Sequence, residues 1–458
     1  MPQHILTLCP TDVLFFKDGR PMEGASSGNG AAWPLPNVLS SAIHHALRRA
    51  QDEASLAILH SHTPKRSGVE LSADRERLFG SLQTAGPFPI DERGQWLFPC
   101  PADAQQGKSS AVTHRPLEKS IPGSSSSLNS ALRPVVSTCA PSKDKPKPWL
   151  TATAFQAYLN GTPCPGPSHF VEDKALFAAE HNIGIGIDPE TETQDGERFY
   201  SASYLRLKDN VHLGLLCQCL DKGRGGKTAD LDLIKSTFPN TGANTHILAG
   251  GQQRTCTVKR DTPPVLPLPV GPAITGTHVK WVLLSPAIFP ELKESEKNST
   301  PHPGGWLPSW IHPDTLELQL KDPALAARKE GEGRVSWRRR VAALGPIGAK
   351  LVAAIIPRAI PVTGWALQDS NDETGAFDVP GGARATHLAV PAGAVYYFEA
   401  RNKDEARKLA AALNWHGVDG TSTISNRRST LMGEKGFGLG VCGMWTAHNG
   451  DVPGHPAA

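Results

Sequence analysis

The sequence predicts an α+β protein of two ferredoxin-like (RRM-like) βαββαβ units that carry long loop insertions. Three observations point there. A β-prone opening leads into an amphipathic helix, a strand–helix–strand series closes the chain, and a Pro-rich stretch separates the two. At about 150 residues per domain, 458 residues also suit more than one unit. Periodicity supports strands and helices in each half but does not by itself select the ferredoxin-like order.

In the first half, Ile5, Leu6 and Leu8, then Val13 to Phe16, form apolar β-prone segments interrupted by Pro10. A Gly- and Ser-rich loop runs from Asp18 to Ala32. Pro36 and Asn37 stand at helix-start positions, and Val38, Leu39, Ala42, Ile43, Ala46 and Leu47 fall on one face. That helix ends near Arg48 and Arg49, where cations suit the negative end of its dipole. Residues 105–148 are too poor in apolar side chains for a packed element and read as a surface insertion, partly mobile. Further insertions are expected from Lys293 to Gly305 and around Gln368 to Arg384. An apolar run from Val211 to Leu220 precedes a helix expected at Ala229 to Thr237, and Ala243 to Val258 reads as strand, Gly turn, strand.

The predicted division is an N-terminal domain at 1–260, a Pro-rich connection at 261–278 and a C-terminal domain at 279–458. The second domain opens on a strand from Val279 to Leu284. It closes with a strand from Ala394 to Glu399, a helix from Lys403 to Leu413 with Ala406, Leu409, Ala410 and Leu413 on one face, and a Gly-rich loop entering a last strand.

Composition bounds the function. A formal charge of +3 is too small to identify a nucleic-acid partner, but Lys and Arg outnumber Asp and Glu from Lys321 to Ala359 and from Arg401 to Trp445. No stretch approaches the roughly 20 apolar residues that span a bilayer, and the N-terminus lacks a basic leader. The eight cysteines are sparse and irregular, which reads as reduced thiols in a cytoplasmic protein.

Several motifs are candidates for chemistry. Gly436, Gly438 and Gly440 alternate in GFGLG, a pattern that lets a phosphate chain approach main-chain N–H groups; Phe437 is placed to stack on a base, and Arg427, Arg428 and Lys435 lie upstream. The competing reading is a strand or bulge where another backbone packs closely. DKGRGGKT, from Asp221 to Thr228, looks like a P-loop but has Asp221 where the first glycine belongs, so a basic hairpin tip with Lys222, Arg224 and Lys227 on RNA backbone is the better reading. Trp337 with Arg338, Arg339 and Arg340 reads as an RNA grip or a solvated helix face. His44 and His45 are candidate acid/base groups for RNA cleavage, against a solvated helix histidine, and no local partner is evident. Cys217 and Cys219 share a strand face and read as core rather than as zinc ligands. No metal, cofactor or catalytic residue is expected.

A resemblance runs through the chain. PTDVLFFKDGRPM, from Pro10 to Met22, is similar to the opening of the third Cmr subunit of the RAMP superfamily, with Lys17 at the usual Arg and Met22 at the usual Phe. WPLPNVLSSAIHHALR and WLFPCPAD follow, then the block from Glu180 to Tyr200, with Asn182 at a usual Arg, and LAGGQQRTCTV, with Gln252 at an acidic position. LLSPAIF, GGWLP, TGWAL, PAGAVYYFE and GFGLG come in the expected order. The resemblance implies two ferredoxin-like RAMP domains and a place in a type III-B (Cmr) CRISPR ribonucleoprotein in antiviral defence. It implies a non-catalytic subunit that holds the 5′ handle of CRISPR RNA and meets target RNA only indirectly. The expected partners are the large cyclase/polymerase subunit and the helical backbone subunit. Lys17, Arg20 and Arg254 in the family blocks join the RNA-contact set. The alternatives are a RAMP endoribonuclease that processes precursor RNA, and the equivalent subunit of another type III or hybrid system.

Overall fold

The computed structural model describes residues 3–16, 27–28, 33–50, 82–104, 113–119, 128–138, 145–162, 166–187, 190–221, 231–240, 245–294, 301–366, 382–383, 385–418 and 420–449. The chain is a mixed α/β protein with antiparallel sheets and few helices.

The first main sheet is built from β1 (His4–Pro10), β2 (Gln83–Ile90), β7 (His212–Gln218), β8 (Thr245–Leu248) and β9 (Thr255–Asp261), in the order β8–β9–β1–β7–β2. β1 runs antiparallel to both neighbours, with Leu6 opposite Leu215 on one side and Arg260 on the other. Helix α1 (Pro36–Arg49) follows β1, and α3 (Leu233–Thr237) lies between β7 and β8. Leu39, Ala42, Ile43 and Leu47 of α1 bury against Leu6, Leu8, Leu213, Leu215 and Cys217. The helical period on one element meets the two-residue period on the others, and this makes the first core.

The second main sheet takes β10 (His278–Leu283), β11 (Ala349–Ile355), β12 (Val395–Ala400) and β13 (Gly440–Met444), in the order β11–β12–β10–β13. Trp281 pairs with Tyr396 and with Cys442. Helix α5 (Lys403–Leu413) starts where the Asn402 side chain accepts the N–H groups of Asp404 and Glu405. It buries Ala406, Leu409, Ala410 and Leu413 against Val279, Trp281 and Leu283. Helix α4 (Arg334–Ala343) buries no residue.

Counting strands by sequence within each set, and leaving β8 aside, both sheets run fourth–first–third–second. Their faces away from α1, α3 and α5 turn toward one shared core. Ala85, Phe88 and Leu216 of the first sheet join Val282, Val395, Tyr397 and Val441 of the second. Helix α2 (Ala152–Asn160), capped by the Thr151 hydroxyl, fills this layer with Phe155, Tyr158 and Leu159. A small sheet of β3 (Leu97–Pro99), β4 (Trp149–Thr151) and residues 170–171 supports α2.

Two segments pack more closely than their composition suggests. The Pro-rich connection packs: Leu266 and Leu268 are buried in the shared core, and Pro269 accepts a 2.6 Å bond from Trp415. Within 105–148, residues His114–Pro116 and Val135–Ser137 pair as strands, Leu117 is buried, and the Arg133 N–H donates to Val352. Sparse apolar residues suffice because a sheet made elsewhere provides the partner surface. The rest of that insertion and most of 368–384 lie outside the described residues. Among the described residues no helix is long and apolar enough to cross a membrane.

Candidate nucleic-acid interface

The Gly-rich segment follows a 3-10 turn, Gly433–Lys435, and leads into β13. Its N–H groups are already used: Gly436 donates to Gly433, Phe437 to Met432, Gly438 to Pro286, and Leu439 to the Ser285 hydroxyl. No phosphate cradle is left. Nor do the glycines leave room for a strand. A Cβ at Gly438 would overlap the Ser429 backbone, one at Gly440 the Trp281 ring, and one at Gly436 would press on Thr84 and Ala85 of β2. Phe437, expected to stack on a base, is fully buried with Ile288, Val362 and Ala389. Phe437, Gly438 and Gly440 pack within the second unit, and Gly436 lets its last loop approach the first. Backbone spacing alone does not distinguish close packing from phosphate approach, because both require the missing Cβ.

The basic candidates divide. Arg428 donates from Nε to the Ala412 carbonyl at 2.7 Å, meeting an orphan carbonyl at the end of α5, and burial pushes its guanidinium down to about 10. Arg340 is spent on Glu332, 2.8 Å away, and on the Leu325 and Ala327 carbonyls. Both side chains are engaged with acceptors of the protein itself. Arg338 and Arg339 are exposed on α4. Arg254 lies 5.0 Å over the Tyr204 ring and 3.6 Å from Asp12, beside the Arg206–Glu180 pair; that cluster is largely self-neutralising. Lys17, Arg20, Lys222, Arg224 and Lys227 lie outside the described residues.

Arg427 differs. Its Nη1 donates to Gln83 Oε1 at 2.9 Å, while its Nε and Nη2 are buried without a hydrogen-bond partner. Burial pushes its guanidinium down to about 10, and Glu434 acts against that shift. The structure brings Arg427 and the loop after it to a seam with β2 and the first turn of α1, because Gly436 meets Thr84 and Pro36.

Three features were not legible in the sequence. β5 (Phe177–Ile187) and β6 (Gln194–Leu207) form a long ribbon, and Ile183, Ile185 and Ile187 stand exposed on one face of β5. Their alternation with Gly184 and Gly186 was the available signal. Lys280, almost fully buried, ion-pairs with Asp103 at 3.2 Å and lies 3.6 Å from the centroid of the Tyr158 ring. Asp103 also accepts from Tyr158 at 2.6 Å and Tyr397 at 3.0 Å, at the wall of a cavity of about 260 Å³. His45, Arg49 and His246 line a separate cleft of about 210 Å³.

Residues 6–445 match the family model described as CRISPR-associated protein (Cas_Cmr3), which puts the chain in the class of CRISPR-associated proteins. It belongs to the Cas_Cmr3 family. No curated protein matches it. Among solved structures, it is similar to a chain of the type III-B Cmr-beta complex bound to cognate target RNA and AMPPnP, at 12% identity over 86% of each chain with TM-score 0.37. It is also similar to a chain of the Csm3–Csm4 subcomplex of the type III-A interference complex, at 10% identity over 87% of this chain and 97% of that one, with TM-score 0.33. A third likeness is to a chain of the Csm1–Csm4 cassette in complex with cA4, at 11% identity over 64% of this chain and 82% of that one, with TM-score 0.29. The family membership stands on the family match alone.

Proposed function

We propose that this chain is the non-catalytic, cytoplasmic subunit of a type III-B CRISPR ribonucleoprotein that holds the 5′ handle of CRISPR RNA. In this reading it docks the large cyclase/polymerase subunit and the helical backbone subunit, and meets target RNA only indirectly. The observation that carries the reading is family membership over 6–445. The strand order supports two ferredoxin-like domains, divided at 1–260 and 279–458 around a packed connection. Their sheet faces are sealed against each other, so RNA runs over loops, edges and exposed cations rather than along a sheet. Among the described candidates Arg338 and Arg339 are exposed, while Arg254 and Lys435 are half-buried.

The test is nuclease protection of guide RNA in the assembled particle with and without this chain. Handle nucleotides should be protected only when the chain is present. Arg338→Glu with Arg339→Glu should weaken binding and reduce its salt dependence. Unchanged protection without the chain would exclude the role.

A second reading has one observation in its favour. His45, Arg49 and His246 share a cleft, a set that can move protons and hold a phosphate during metal-independent RNA cleavage. Cleavage of repeat RNA by the purified chain, lost in His45→Ala/His246→Ala, would replace the first reading with this one.

A further inference from the structure

The cavity of about 260 Å³ beside the end of α2 has a polar floor and an open rim. Asp103, Tyr158, Lys280 and Tyr397 make the floor and are buried, whereas Asn160, Thr162 and Thr446 stand exposed at the mouth. The acceptor on the floor is saturated. Asp103 Oδ1 accepts from Tyr158, and Oδ2 from Lys280 and Tyr397. Trp445 closes one side and is fixed by its Nε1, which donates to the Phe398 carbonyl at 3.1 Å. The donors are not saturated. Of the three ammonium N–H groups of Lys280, one meets Asp103 and one faces the Tyr158 ring, 3.6 Å from its centroid, which leaves one over. Arg115, half-buried in the cavity wall, has no ion pair or side-chain hydrogen bond among the described residues. Its charge acts against the Lys280 ammonium, on which burial already weighs. Two cations therefore share the lining with one carboxylate that is fully engaged. The negative end of α2 offers little relief, because the Gly161 and Thr162 N–H groups and the Thr162 hydroxyl bond back onto the Tyr158 and Ala157 carbonyls. Partly desolvated cations so placed are costly until an anion joins them.

We infer that this cavity binds the phosphate group of a phosphomonoester, held between Arg115 and Lys280, with the ester chain leaving through the mouth. A guanidinium fork takes two oxygens of one anion, and the spare ammonium N–H calls for a third. A carboxylate has only two oxygens and a phosphodiester only two that carry charge, whereas a phosphomonoester presents three. The cavity is smaller than the roughly 300–1,000 Å³ of pockets that enclose a whole drug-sized ligand, so it holds the phosphate and little more. The rest of the molecule lies outside, which admits two sources, a free mononucleotide or the phosphorylated end of an RNA strand. The site stands apart from the cations proposed above for guide RNA and does not depend on that reading. Its walls come from both units, so occupancy stabilises the contact between them.

Calorimetric titration and thermal unfolding of the full chain test this at matched ionic strength. The probes are inorganic phosphate, adenosine monophosphate, adenosine, acetate, and one oligoribonucleotide with either a 5′-phosphate or a 5′-hydroxyl. Phosphate and adenosine monophosphate should bind and raise the unfolding midpoint, and adenosine and acetate should do neither. A strand-end source predicts binding of the phosphorylated RNA about tenfold or more tighter than of its hydroxyl form. A free-nucleotide source predicts equal binding of the two RNAs alongside binding of adenosine monophosphate, and either result sustains the site. Arg115→Met should weaken binding of the phosphate ligands about tenfold, the scale of one charge-assisted contact. Arg93→Met, which removes an exposed charge elsewhere, should not. Lys280→Met leaves Asp103 its two tyrosine donors and should also lose affinity. Should it fail to fold, Arg115→Lys, which keeps the charge without the fork, should still bind more weakly. Acetate binding as tightly as phosphate would overturn the phosphate assignment. Wild-type affinity in folded Arg115→Met, or no binding of any phosphate ligand, would overturn the inference.

Discussion

Gly438 sits at φ +75° with the Ser429 backbone against the face where a Cβ would project. Strain and overlap act together, so Gly438→Ala should destabilise the fold by about 3 kcal/mol or more, read from urea unfolding. A Gly→Ala cost of only a few tenths would mean that the loop is not packed as described. The Lys280–Asp103 pair makes a second residue-scale case. Burial lowers the Lys280 pKa, and Asp103 raises it again through charge and a hydrogen bond. Asp103→Ala would strand a buried ammonium and leave two buried tyrosine hydroxyls without their acceptor, which costs about 3–5 kcal/mol. Replacing both partners with apolar residues should recover part of that loss.

At the element scale, α4 has no apolar face to bury, and it is held by polar contacts instead. Arg340 and the Lys329 N–H hold the Glu332 carboxyl down at about 2, below its ordinary value of 4.5. A carboxylate depressed on folding stabilises the folded state above its unfolded value, and loses that contribution as pH falls through the folded one. Amide protection factors over 334–343, corrected for the intrinsic pH dependence of exchange, should therefore hold down to about pH 4.5 and fall as pH drops toward 2. Glu332→Gln should show low protection factors at neutral pH with no acid step. The ribbon of β5 and β6 is the other element with a separable prediction. Serines at Ile183, Ile185 and Ile187, all exposed, should change stability by no more than about 0.5 kcal/mol. An exposed apolar face of this kind suits an interaction surface, so in the proposed ribonucleoprotein the same variant should weaken assembly. If the same variant assembles normally, the ribbon face has no partner there.

For the whole molecule, the shared core decides how the two units unfold. Phe88 and Leu216 on one side, and Val282, Val395 and Tyr397 on the other, exchange solvent for each other's surface. Each fully buried side chain of this size contributes about 1.5–3 kcal/mol, so neither unit can expose its face cheaply. Calorimetry should give one transition with matching calorimetric and van't Hoff enthalpies. A fragment ending at residue 260 should be insoluble or partly folded. Two resolved transitions would show that the units are independent.

The sequence by itself determined the elements whose physics is local. α1 and α5 follow from apolar residues at helical spacing, α5 begins at its Asn402 cap, and β10 and β12 read as apolar strands within one or two residues of their ends. The ordered blocks also determined the family. Only the tertiary structure decided what the Gly-rich loop does, which cations are spent, and where unpaired donors gather. Those outcomes depend on atoms far apart in sequence: Gly436 against Thr84, Arg427 against Gln83, Arg428 against Ala412. A glycine reads the same whether a phosphate or a neighbouring backbone occupies the space it leaves, and an arginine's charge does not reveal which carbonyl lies within its reach.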